Sequence, residues 1–235
     1  MAVSQALFAG SIVGSKHDLS VAVGGTNEIC VFCHTPHNAN NDLDNDTILD
    51  STRPGGRPNA PLWNRRITRA DTDTFTPYTS STMNMVCDEI PSPLSLACLS
   101  CHDVAMGTFL GEEDYGGGSV SVIDTHNLVN EPNLMGPSSP NCFGCHPDGG
   151  QFPGAWWQIG PDLSNDHPVS MDYPAVTDDP DFNAPPNPLT GWGDIKLFNG
   201  RVECPSCHNP HDPANIPFLR KTIDGSTLCI TCHTK

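Results

Sequence analysis

Ten of the eleven cysteines fall into five C-x-x-C pairs, and a histidine follows each pair at once. The runs are Cys30-Val31-Phe32-Cys33-His34, Cys98-Leu99-Ser100-Cys101-His102, Cys142-Phe143-Gly144-Cys145-His146, Cys204-Pro205-Ser206-Cys207-His208 and Cys229-Ile230-Thr231-Cys232-His233. Two thiols on one helical turn can add across the two vinyl groups on one edge of a porphyrin. The imidazole that comes next then projects over the ring, where its nitrogen can bind the iron. Structural zinc uses paired C-x-x-C units but does not require histidine after each second cysteine. A redox C-x-x-C would occur once, in a βαβ context. If the ten histidines were scattered at random, five such coincidences would have a chance of roughly one in ten million. The spacing therefore predicts five covalently attached c-type haems, each with His34, His102, His146, His208 or His233 on its iron.

Five further histidines remain: His17, His37, His126, His167 and His211. Five irons need five distal ligands to become six-coordinate, and the two numbers match. Methionine could serve instead. Met1, Met83, Met85, Met106, Met135 and Met171 show no comparable pattern and read as packing residues. Two of the free histidines sit in a repeated phrase, C-x-x-C-H-x-P-H, at 30–37 and 204–211. The second histidine lies too close in sequence to wrap around the ring held by the first, but it can reach an adjacent iron. The expected assignments are His211 to the haem at Cys229/Cys232 and His37 to the haem at Cys98/Cys101. Proline fixes the turn between the two imidazoles. His17 in GSKHDLS and His167 in DLSNDHPVS form a looser repeat, and His126 lies in DTHNLV.

The elements that position these residues must be small. The first cysteines of successive runs are 68, 44, 62 and 25 residues apart, or about 47 residues of chain per haem. That is too little for separate domains, so residues 1–235 are expected to form one unit in which the haems share walls, with an arm over about 1–25. Between the runs lie NANNDLDND (38–46), STRPGGRPNAP (51–61), GEEDYGGG (111–118) and TDDPDFNAPPNP (177–188). Long loops without structure count against a compact fold unless rigid apolar surface is supplied for them to pack on. The predicted fold is mostly irregular coil, with short α-helices around each C-x-x-C-H and few β-strands, near 119–123. Trp156, Trp157, Phe32, Phe109 and Phe143 are expected to line the haems or to pack between them. Cys87 has no partner in its run and reads as a buried free thiol or an intermolecular link. Asp42, Asp44 and Asp46 alternate as in a calcium loop. Thr47 and Arg53 stand where that loop needs Gly and Glu, so a solvated acidic loop is the favoured reading. Asn45-Asp46-Thr47 is a glycosylation sequon in form.

Composition agrees with an interior built on something other than side chains. Leu, Ile, Val and Phe number 49 of 235 residues, while Gly and Pro number 21 and 23. With a net charge of -16, that places the residues alone at the edge of the disordered class. The acidic surface argues against nucleic-acid binding, which needs basic patches. No run approaches the roughly 18 apolar residues of a transmembrane helix. The opening MAVSQALFAGSIVGSKHD lacks a basic region before its apolar stretch, so an export signal is expected to be missing from this numbering. Covalent haem attachment implies assembly on the export side of the membrane.

The repeated C-x-x-C-H, the phrase C-x-x-C-H-x-P-H and DLSNDHPVS resemble the multihaem c-type cytochromes of metal-reducing prokaryotes. The similarity is strongest to outer-surface cytochromes that polymerise into conductive filaments. It spans the haem sites from about 17 to 233 and little of the loops between. It implies a stacked haem chain with bis-histidine irons, and one distal ligand donated by the adjacent subunit, for which His17 is the candidate. Filament members carry four, six or eight haems, where this chain has five motifs. The implied role is electron transfer, not catalysis, in an extracellular or cell-surface filament of identical copies. Its exchange partners would be other redox proteins or extracellular acceptors. A discrete periplasmic five-haem carrier is the alternative. A multihaem reductase comes third, since the C-x-x-C-K site of pentahaem nitrite reductases is absent.

Overall fold

The computed structural model describes residues 11–18, 20, 29–34, 63, 75–102 and 159–234. Each regular element in these segments that exceeds a hydrogen-bonded pair or a turn is tied to a cysteine run. A 3₁₀ turn covers Ile29–Phe32, α1 spans Pro93–His102, α2 spans Cys204–Cys207 and α3 spans Cys229–Cys232. A second 3₁₀ turn covers Asp224–Ser226. Strands β1, Met171–Asp172, and β2, Arg201–Val202, pair antiparallel, with Met171 opposite Val202 and Asp172 opposite Arg201. The rest of the described chain is mostly turn, bend and coil joined by isolated β-bridges, in keeping with the composition. The α-helices expected around the attachment runs are found at three of them, while the Cys30 run forms a 3₁₀ turn instead; the run 142–146 lies outside the described residues. So do the predicted strand near 119–123, Trp156, Trp157, Phe109, Phe143, the side chain of Phe32, and Asp42, Asp44 and Asp46. The β1–β2 pair was not foreseen.

Helix α1 starts with Pro93, whose fixed φ and missing N–H suit a first helical position. The Ser92 carbonyl accepts the Leu96 N–H at 2.8 Å. Inside the helix, Leu96 and Leu99 are fully buried and pack with Phe75, Ala97 and Leu163, edged by Trp63, Ile90 and Val169. A second cluster joins Cys87, Met171, Leu197 and Val202, with Met83, Met85, Tyr78, Tyr173 and Trp192 around it. The described methionines thus pack, as expected. Cys87 is a buried free thiol, whose ionisation burial makes harder. Large side chains stay exposed, among them Val86, Ile216, Ile223 and Ile230.

A polar knot fixes α1 against α2 and the strand pair. Arg201 is buried and pairs with Asp88, with Asp172 at 3.0 Å and with Glu203 at 3.5 Å. Burial works against the Arg201 charge, yet the three carboxylates outweigh it and hold its pKa above the ordinary value. Glu203 accepts the Ser95 hydroxyl at 2.6 Å and the Ser170 hydroxyl at 2.9 Å through Oε2. Its Oε1 has no hydrogen bond. Burial pushes the Glu203 carboxyl upward, and the serines only partly offset that. Glu203 also caps α2, in a capping box with Ser206. Gly191 makes a turn at φ 78°, where a Cβ would fall 2.8 Å from the Leu197 nitrogen, so no other residue fits.

Candidate haem-binding site

Each described attachment run outside α1 closes one helical turn and then leaves it. The N–H of His34 donates to the Cys30 carbonyl at 2.9 Å, that of His208 to Cys204 at 3.2 Å, and that of His233 to Cys229 at 3.0 Å. His208 and His233 are extended, at φ/ψ of -106°/141° and -98°/144°. Both thiols therefore project from one turn while the following imidazole swings away from it. The second pair along the chain, Cys98 and Cys101, sits at the last turn of α1, which ends on His102.

The leftover histidines meet the motif histidines in pairs. His34 and His211 have ring centroids 6.0 Å apart, His17 and His102 6.2 Å, and His167 and His233 6.3 Å. An imidazole nitrogen binds a first-row metal at about 2 Å and lies about 1 Å from its ring centre, so two imidazoles across one iron stand roughly 6 Å apart. All three pairs have that spacing. His208 carries no distal partner among the described residues, and His37, His126, Cys142, Cys145 and His146 lie outside them.

One expected ligand assignment changes. His211 lies beside His34, not at the Cys229–His233 site, because the loop 209–219 folds back onto the first run. His167 takes the place beside His233. His17 sits beside His102 of its own chain, and His37, which had been expected there, lies outside the described residues. It stacks on Phe218 with centroids 4.2 Å apart and planes 17° from parallel.

Second hydrogen bonds orient these rings. His17 donates Nδ1–H to the Pro210 carbonyl at 3.1 Å, His167 to Pro168 at 3.0 Å and His208 to Pro217 at 2.9 Å. A carbonyl can only accept, so the proton is on Nδ1 and Nε2 is left with a lone pair for metal. Burial lowers the pKa of His17 and so does the nearness of His102, His211 and His208; the Pro210 bond acts the other way. Burial and His167 lower His233, against Asp179. Neutral imidazole is the form that ligates metal.

The described thiols are placed for attachment. Cys30, Cys204, Cys207, Cys229 and Cys232 are free thiols. Among the described residues no group of three or more His, Cys, Asp or Glu side chains could hold a metal ion. Burial pushes the Cys207 and Cys232 thiols up to about 11. These donor sets, two thiols on a turn with imidazoles facing at iron spacing, fit haem c. The proline carbonyls and Phe218 went unnoticed as site residues in the sequence. The prolines beside His167 and His211 were their visible signal.

A family model described as a doubled CXXCH motif matches residues 197–235, which hold the Cys204 and Cys229 runs. No match is found among curated proteins. The doubled motif points to a c-type multihaem cytochrome with covalently bound haem, and to electron transfer. Among the described residues no helix is long and apolar enough to cross a membrane.

Proposed function

We propose that this chain carries electrons through five covalently attached haems whose irons are closed on both faces by histidine. The observation that carries the reading is the recurring imidazole spacing of 6.0, 6.2 and 6.3 Å, each pair joining one motif histidine to one of the five left over. Bound haem supplies one-electron exchange between ferric and ferrous iron. Paired imidazoles leave no open axial position for a substrate, so the chain acts as a carrier and not as an enzyme. The carbonyls of Pro168, Pro210 and Pro217 hold the rings in the ligating tautomer. The count of five extends the reading to Cys142–His146, with His37 and His126 as the remaining distal ligands. Mass and absorption spectroscopy of the purified protein test it: five haems and a wholly low-spin ferric spectrum are expected. Zinc, cystine or a high-spin signal in the unaltered protein would defeat it.

The carrier is further read as the subunit of an extracellular filament, on the strength of the motif resemblance. A discrete periplasmic carrier is the second reading, and His17 beside His102 favours it, since no ligand from a neighbour is then required. Electron microscopy of the secreted fraction separates them. Uniform filaments support the first; small particles alone support the second.

A further inference from the structure

The sequence says how many attachment runs there are and nothing of their order in space. We propose that the Cys204–His208 site is the middle member of three, lying between the Cys98–His102 site and the Cys229–His233 site. The proposal rests on the haem-bearing reading above.

The contacts on one side run through cysteine itself. The Cys204 N–H donates to Ser95 Oγ at 3.2 Å, and Ser95 stands one helical turn before Cys98 on α1. Helix α1 packs on α2, with Ser95 bonded to Glu203 at its cap. Each thiol of these runs becomes a thioether, one C–S bond from a porphyrin edge. Turns in contact at Ser95 and Cys204 therefore bring the edges of two rings together.

Other contacts tie the same turn to the last run. The Cys207 carbonyl accepts the Arg220 N–H at 2.8 Å, and Arg220 Nε donates to the Pro205 carbonyl at 2.7 Å. The next residue, Lys221, donates to Thr231 Oγ1 at 3.1 Å. Tyr173 and Asn183 hold the far side of α3, with the Tyr173 hydroxyl donating to the Cys232 carbonyl and the Asn183 amide to that of Ile230. The two ends of the 204–207 turn thus meet different neighbours: Cys204 meets α1 at Ser95, and Cys207 meets Arg220, whose neighbour Lys221 holds α3 at Thr231. Adjacent positions in sequence did not dictate this, because the 142–146 run stands between 98–102 and 204–208.

The test is an anomalous-scattering map of iron from crystals of the intact holoprotein, each iron assigned by the cysteines that hold its ring. The iron at His208 is expected nearer to those at His102 and His233 than these two are to each other. A shorter distance from the His102 iron to the His233 iron than from either to the His208 iron overturns the proposal. The map uses the unaltered chain, so no variant has to fold. A solution test follows with the Cys204→Ala/Cys207→Ala double variant, in a background where His167→Met gives the last site a distinct absorption band. A holoprotein one haem short, with electron equilibration between the first and last of the three sites slowed at least tenfold, supports the order. Unchanged equilibration in that protein overturns it. Failure of the underlying reading looks different, as iron missing from all of these cysteines.

Discussion

The imidazole of His211 stands 6.0 Å from that of His34, so the tail of one C-x-x-C-H-x-P-H phrase faces the head of the other. One iron between them would staple the first attachment run to the loop after the fourth. Substituting His211 by Ala is expected to turn one haem high-spin. Deleting Cys30 and Cys33 in that background should abolish the high-spin electron paramagnetic resonance signal, whereas deleting Cys229 and Cys232 should leave it. The opposite result would return His211 to the last site.

His17 completes a pair within its own chain, 6.2 Å from His102. The wild-type protein is therefore expected to remain fully low-spin when diluted to single chains, and His17→Ala to show one high-spin haem under the same conditions. High-spin iron appearing in the wild type on dilution would mean that a ligand comes from a neighbour.

Burial holds the Glu203 carboxyl above its ordinary pKa. A carboxyl raised on folding stabilises the fold below its unfolded pKa, about 4.3, and that contribution is lost as pH rises through the folded value. Urea unfolding of the holoprotein at a series of pH values should show wild type losing stability relative to Glu203→Gln over that window. Parallel curves for the two proteins would refute the assignment.

Leu96 is fully buried between α1 and the Phe75–Leu163 cluster. Truncation to Ala removes buried methylene groups and leaves a cavity, a loss of about 2–5 kcal/mol. The urea midpoint of the holoprotein should fall accordingly, with the haem count intact. Val86→Ala, at an exposed position, should move it little.

Charge bears on any assembly. The chain carries a formal -16, and each ferric bis-histidine haem with two ionised propionates adds about one more negative charge. Copies repel, so added salt or divalent cations should strengthen a filament by screening. Light scattering that shows steady loosening as ionic strength rises would count against polymer contacts of this kind.

The chemistry was legible in the sequence because covalent attachment demands fixed residue types at fixed spacing: two thiols a turn apart and an imidazole immediately after. The low content of regular structure was legible too, since so few large apolar residues among so many prolines and glycines cannot support a conventional core. The short turns at Cys30, Cys204 and Cys229 follow from the same local constraint. Partnership did not follow. His211 and His17 lie in loops whose local sequence is compatible with several irons. Their neighbours, His34 and His102, were selected by the way 209–219 folds back, with Phe218 stacked on His17 and the Pro210 carbonyl on its Nδ1. The strand pair of Met171–Asp172 with Arg201–Val202 is two residues long and leaves no periodicity to read. Arg201 with its three carboxylates, and Ser95 bonded to the Cys204 N–H, likewise join residues far apart in the chain. Attachment is a local covalent requirement and is written in consecutive residues. Ligand pairing and the order of the sites depend on which distant surfaces pack together, and only the tertiary structure decides that.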